Sequence, residues 1–341
     1  MQLRQSVSLA IRLWLLGIYE SLQLQRCVVL LALDDTGSLW RTFIKCVVLN
    51  GFIFLGSIAW WQHALEPLIS FSIQMAVAPL LQPAAASVVV TALHLSYQVL
   101  WLAPAYLTTM LVSCAMYNEM AATAVQVHPR HAAKLLSQQG SSIATVAPST
   151  AGTQKASSPR ALSLEVAAQE VYRVVLFLVL YLEVWLISQL PYVGKGLSIM
   201  ASCWMTSFFC FDYRWALQGT PLLDRLAFFE CAAPFFGGFG LLLAVVTAVM
   251  PFYSGAAVIA ILFPLFVLVA CGCEPSACIT AASTAQSGSG LDSRGGGTAP
   301  MHGAQQSLGL DGLWRFPVFS LALKPTNAIM SKLASLTARK H

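Results

Sequence analysis

Between Val171 and Phe211 the chain runs for roughly forty residues with only Arg173, Glu183 and Lys195 charged. The run is broken once, at Pro191-Tyr192-Val193-Gly194. A segment this apolar is long enough to enter a bilayer as helix, turn and helix. Comparable runs occur at Phe43–Trp61, at Ala84–Tyr117, and from Phe235 to Ala270 with a break at 250–255. Of the 341 residues 57% are hydrophobic and 10% charged, whereas a soluble domain carries about 25% charged residues. So few charges cannot cover a water-facing surface of this size. The sequence specifies an all-α integral membrane protein.

Two of the runs predict long transmembrane helices. Phe43–Trp61, framed by Arg41 and Lys45 and by the Trp60-Trp61 pair, reaches about 28 Å as helix, close to a hydrocarbon thickness of about 30 Å. Ala84–Tyr117 is longer than one span needs and is expected to tilt or kink at Pro104, which lacks a backbone donor. The remaining apolar mass forms two helical hairpins, with arms near 171–190 and 197–211, then 235–249 and 256–270. Fifteen-residue arms reach only about 22 Å, so either short tilted spans or hairpins that penetrate partway and return satisfy the pattern.

Ahead of the spans, Leu3, Val7, Ala10, Ile11, Trp14, Leu15 and Ile18 recur at helical spacing, with Arg4, Arg12 and Glu20 facing water. This predicts an N-terminal amphipathic helix, lying on the membrane surface or packed on the bundle of its own chain. The chain then divides into the amphipathic region 1–33, the two transmembrane helices and their connection 34–136, and a low-complexity loop 137–163 read as disordered. The two hairpins occupy 164–273, a second such loop 274–312, and an amphipathic tail 313–341. Basic residues in the first 45 positions and at 118–170, against none in 62–83, place the N-terminus and the 118–170 loop on the cytoplasmic side; each hairpin returns the chain to the side it left, so the C-terminus is expected there too. The net charge of +5 reports topology and anionic lipid; no basic run is interleaved with aromatics as a nucleic-acid groove requires.

Ionisable residues inside apolar runs are costly and each demands an account. Either His94, Glu183 and Lys195 line an intramembrane polar path, or Arg173 and Lys195 lie at the interface and Glu183 and His94 are satisfied by neighbouring helices. Nine cysteines suggest no disulfide framework. Cys271, Cys273 and Cys278 lack paired C-x-x-C spacing and a nearby histidine, so they are read as structural or palmitoylated rather than metal-binding. Paired-carboxylate, His-x-x-x-His, Gly-x-Ser-x-Gly and P-loop patterns do not occur. No enzyme activity and no cofactor are expected, and Gly237-Gly238-Phe239-Gly240 is read as a flexible entry or close helix packing.

Phe211-Asp212-Tyr213-Arg214-Trp215 closes the long apolar tract and reads as a membrane boundary, with Tyr and Trp at the interface. Asp212 and Arg214 are expected to pair with Arg225, Asp224 or Glu230 across the loop joining the hairpins. Arg225-Leu226, Glu230, Pro234 and Gly238-Phe239-Gly240 follow, then the run Ile261–Phe266 around Pro264. In this order and spacing the set resembles the etoposide-induced protein 2.4 homologue family. Asn50-Gly51, Trp101 with Pro104, and the run Tyr117–Ala121 support it upstream.

The resemblance implies a multi-pass endoplasmic-reticulum protein linked to autophagy and, in animal members, to growth suppression and apoptosis. It also implies distant similarity to CysZ sulfate permeases, built from two long transmembrane helices and two partly penetrating hairpins, which favours half-penetration here. The Arg-rich stretch of animal members is replaced by the short acidic 33–38, so importin binding does not carry over. The expected partners are the lipid bilayer and autophagy or membrane proteins, not nucleic acid; oligomeric state is open. The leading function is non-catalytic support of autophagosome formation, the alternative a sulfate-like anion permease.

Overall fold

The computed structural model describes residues 2–76, 83–138, 159–287 and 316–338. Most of the two low-complexity segments, 139–158 and 288–315, lies outside them. Their described margins are helical, not irregular: Pro159–Ser188 is one helix and Pro275–Ser287 another. Every regular element among the described residues is helical. Four helical runs are long and apolar enough to cross a membrane: Ser38–Ser72, Thr91–Val127, Val171–Ser188 and Phe252–Cys271. The chain is an all-α membrane protein.

Helix α1 (Gln2–Ser21) and α2 (Gln25–Leu33) precede a continuous helical run, α3 (38–76), started by the acidic loop. Asp34 accepts hydrogen bonds from the Thr36 hydroxyl and the Leu39 N–H, both at 2.6 Å. It thereby satisfies a donor that the first turn of a helix otherwise leaves open. Run α3 contains π-helical turns at Val48–Leu55 and Trp61–Leu65, and its partner α4 (83–138) contains one at Gln98–Leu102. The last lies just ahead of Pro104, where the kink was expected, because a proline removes the bond its N–H would have made one turn back.

The two long runs are clamped at mid-length. In α3, Asn50 donates to Ser113 Oγ of α4 at 2.9 Å and receives the serine hydroxyl at 3.2 Å, while Gly51 leaves room for the side chain of Ile261. Nearer the N-terminal end of α3, Thr42 donates to Glu119 at 3.2 Å.

The first hairpin joins α5 (Pro159–Ser188) to α6 (Gly194–Leu217) through Tyr192, whose φ of 64° and full exposure mark the tip. At 24 residues α6 reaches about 36 Å, longer than the predicted arm, because its C-terminal half continues through the residues read as the membrane boundary. The second hairpin is asymmetric. Its first arm is broken at Gly240 into α8 (Ala233–Phe239) and α9 (Leu241–Val249), and its second is the 20-residue α10 (Phe252–Cys271). Between the hairpins lies α7 (Leu222–Cys231), and α11 (Pro275–Ser287) and α12 (Ser320–Ala338) close the described chain.

Aromatic rings from α6, α7 and α8 make the centre of the core. Phe229 stacks on Phe236 at 4.2 Å, Phe211 meets Phe239 at 4.8 Å, and Phe319 reaches in from beyond the second low-complexity segment to Phe208 at 4.8 Å. Offset and edge-on contacts of this kind are favoured by the ring quadrupole.

Helix α1 is part of this bundle. A Cβ on Gly17 would collide with the carbonyl of Phe235, and one on Gly238 with the carbonyl of Trp14, so the backbones of α1 and α8 touch at a pair of glycines. Between the two expectations for the N-terminal helix, packing on its own chain holds. Glu20, predicted to face water, is buried at 5% exposure beside Arg26, 2.5 Å away, because α2 folds back to supply the cation.

Candidate functional site

Asp212, Tyr213, Arg214 and Trp215 lie on the last two turns of α6, and all four are buried. The exit to water read from the sequence is thus corrected: the charges stay inside the protein because partners meet them there. Positions two apart on a helix face directions about 200° apart, so Asp212 and Arg214 serve different sides of the bundle.

On one side the Asp212 carboxylate bridges two guanidinium groups. Arg173 Nε of α5 lies 2.7 Å from Oδ2 and Arg225 Nη1 of α7 2.6 Å from Oδ1. The side chains retain only 3% (Asp212), 16% (Arg173) and 11% (Arg225) exposure. The Arg225 pairing is the one expected; Arg173, read as interfacial, is the second partner. Arg173 also lies over the ring of Tyr213, 4.9 Å from its centroid, and Arg225 donates to the carbonyl of Thr220 at 2.7 Å. One carboxylate therefore ties α5, α6 and α7 together.

On the other side Arg214 caps α10. Its guanidinium donates to the carbonyls of Ala270, at 3.4 Å, and Cys273, and pairs with the carboxylate of Glu274. The last carbonyls of a helix lack intrahelical donors, and a cation there also meets the negative end of the helix dipole. Arg214 thus pairs with Glu274, not with Asp224 or Glu230. Trp215 packs into the phenylalanine cluster, stacked on Phe211 at 5.5 Å and edge-on to Phe228 at 5.8 Å.

The later motif residues are structural in the same sense. Glu230 accepts the N–H of Phe319 at 3.3 Å and so holds the chain entering α12. Pro234 stands in the first turn of α8, where its missing donor costs nothing. Phe239 is fully buried. A side chain at Gly240 would strike the carbonyl of Cys203, so α8, α9 and α6 approach only because it is glycine. Pro264 lies inside α10 and leaves the carbonyl of Ala260 without its helical donor; Tyr117 of α4 donates its hydroxyl there at 3.1 Å.

Tyr213 faces a cavity of about 400 Å³ between α3, α4, α5, α6, α9 and α10. Asn50, Ser113, Ser202 and Thr206 contribute polar atoms to its wall, Phe54 and Trp185 apolar surface, and Arg173 its one charge. His94, Glu183 and Lys195 are not among the lining residues. His94 contacts Gln98 at 2.9 Å and Glu66 at 3.7 Å, Glu183 is half-buried on α5, and Lys195 is exposed beside the first hairpin tip.

A third cluster joins the end of α1 to the start of α11. Cys273 donates to Glu20 Oε2 at 3.5 Å, and Cys278 comes close to both. Sequence reasoning had the cysteines but not the glutamate, which stands more than two hundred residues away.

A sequence model of the family described as sulfate transporter CysZ/etoposide-induced protein 2.4 matches residues 28–270. The chain is 32% identical over 279 residues to Protein EI24 homolog of Arabidopsis thaliana, covering 79% of this chain and 85% of that protein. It is 27% identical over 265 residues to Protein EI24 homolog of Dictyostelium discoideum, covering 77% and 74%. No solved structure matches the chain.

Proposed function

The chain belongs to the CysZ/etoposide-induced protein 2.4 family, and from that premise we propose that it is a non-catalytic, multi-pass protein of the endoplasmic-reticulum membrane that supports macroautophagy, with both termini cytoplasmic. The observation that carries the scaffold part of this reading is the use made of the motif. Asp212, Arg214, Trp215 and Glu230 each end on a partner inside the fold and together join α5, α6, α7, α10 and α12. Their charges are consumed in assembly, not presented to a substrate. What the bundle offers outward is apolar: Leu182, Trp185 and Leu186 on α5 and Phe52 and Ile53 on α3 are more than half exposed. That surface suits lipid and membrane-protein partners.

The anion-permease alternative draws little from the cavity. Its one cation, Arg173, is engaged by Asp212 and Tyr213, and Lys195 lies off its wall. Deleting the gene and following autophagic flux tests the proposal. Flux is expected to fall and to return with the wild-type chain, but not with Asp212 and Arg214 both replaced by alanine. Normal flux and normal autolysosome maturation in the deleted cells would defeat it.

A further inference from the structure

We propose that Glu20, Cys273 and Cys278 form a binding site for a thiophilic divalent cation of the zinc class. The three side chains offer one carboxylate oxygen and two sulfurs, all within 4.8 Å of one another. The Cys273 Sγ to Glu20 Oε2 separation of 3.5 Å matches the edge of a tetrahedral site. With Zn–S near 2.3 Å and Zn–O near 2.0 Å, a sulfur and an oxygen ligand stand about 3.5 Å apart. Two thiolates and one carboxylate favour zinc over magnesium or calcium, which prefer all-oxygen sites.

The charge closes as well. Glu20 and Cys273 are buried, and Arg26 lies 2.5 Å from the Glu20 carboxylate. When the cation binds and two thiol protons leave, two thiolates and one carboxylate face one divalent ion and one guanidinium. The burial then carries no net charge, which a buried cluster requires. Three protein ligands leave the fourth tetrahedral position to water, on the side where Cys278 is half-exposed.

The ligands are held by contacts that do not depend on the ion. Glu20 lies in the last turn of α1, which the Gly17–Gly238 crossing fixes against α8. Cys273 lies in the short link after α10, where Arg214 grips its carbonyl and the neighbouring Glu274. Cys278 follows in the first turn of α11, its N–H donating to the Glu274 carbonyl at 3.1 Å. Preorganised ligands on separate elements are what a metal site needs, and the bound ion would staple α1 to α11.

The test uses the full-length chain purified in detergent and is independent of the autophagy reading. Elemental analysis is expected to find about one zinc per chain, and Co²⁺ added after chelation is expected to give thiolate-to-cobalt charge-transfer absorption with tetrahedral visible bands. Cys278→Ser is expected to weaken binding by at least the roughly tenfold that loss of a mere outer-shell partner causes, while Cys114→Ser retains it. Wild-type protein without zinc and without a cobalt–thiolate band overturns the proposal, as does undiminished binding by Cys278→Ser. Should that variant not fold, alkylation of the wild type decides. Zinc protection of Cys273 and Cys278 supports the site, and equal labelling with and without zinc overturns it.

Discussion

The hydroxyl of Tyr117 donates to the carbonyl of Ala260, 3.1 Å away on another helix. That carbonyl is open because Pro264, four residues on, has no N–H to give it. Tyr117→Phe therefore strands a partly buried acceptor, at an expected cost of about 1 kcal/mol. In a Pro264→Ala background the restored backbone N–H meets the carbonyl, and the same substitution is expected to cost much less. Thermal unfolding of the four proteins in detergent measures the coupling; equal costs in both backgrounds would show that the proline and the tyrosine are unrelated.

Asp212→Asn leaves Arg173 and Arg225 facing each other without their shared anion. Removing one member of a buried ion cluster costs about 3–5 kcal/mol, so the variant is expected to unfold at markedly lower temperature or to be degraded in cells. A loss near zero would restore the reading of Asp212 as an exposed interfacial charge.

The two glycine environments give a contrast within one chain. Gly238→Ala drives a methyl into the Trp14 carbonyl, whereas a Cβ at Gly196 meets nothing within 4 Å. The first is expected to detach α1, seen as new protease cleavage between the N-terminal helix and the bundle; the second is expected to stay within about 0.5 kcal/mol of wild type. Similar digestion patterns for both would argue against the docked position of α1.

Asp34 sets a pH dependence outside the membrane. Partial burial opposes its charge, but hydrogen bonds from Thr36, Leu39 and Ser38 outweigh that and hold its carboxyl below the usual carboxylate range. A depressed folded pKa adds stability that is complete above the unfolded value of about 3.9 and is lost as pH falls through the folded value. Asp34→Asn keeps an acceptor oxygen but loses the charge, and is thus expected to be less stable at pH 7 by about 1 kcal/mol, the difference between hydrogen bonds to a charged and to a neutral acceptor. The gap should close in strong acid. A deficit independent of pH would mean the charge is not what matters.

The hairpin tips carry the question of penetration. Tyr192, Val193, Val249 and Phe252 are all at least half exposed at the tips, and aromatic or aliphatic groups suit hydrocarbon or its boundary better than bulk water. A cysteine placed at Tyr192 or Val249 is expected to be shielded from membrane-impermeant reagents on both sides. Ready labelling from the lumen would make the arms full spans.

Spans, turn positions and the close packing at Gly238 were legible because each is a local signal: hydropathy, a proline–glycine break, a run of small residues. The fate of the charges was not. Asp212 and Arg214 look like an exit to water when counted along the chain, since Arg173 lies 39 positions before Asp212 and Glu274 lies 60 after Arg214. Glu20 is the sharper case, its surroundings coming from α2 and from the link after α10. The π-helical turns in α3 and α4 left no compositional mark either, although Pro104 hinted at one.

The glycine crossing of α1 and α8 sets an order on biosynthesis. Gly17 emerges from the ribosome more than two hundred residues before Phe235 and Gly238, the backbone it must touch. At about 5–20 residues per second that interval lasts roughly ten to forty seconds. During it the apolar side of α1 has only the bilayer surface or a chaperone to cover it. The amphipathic pattern at the N-terminus thus suits two successive environments, a waiting place on the membrane and a final socket against α8.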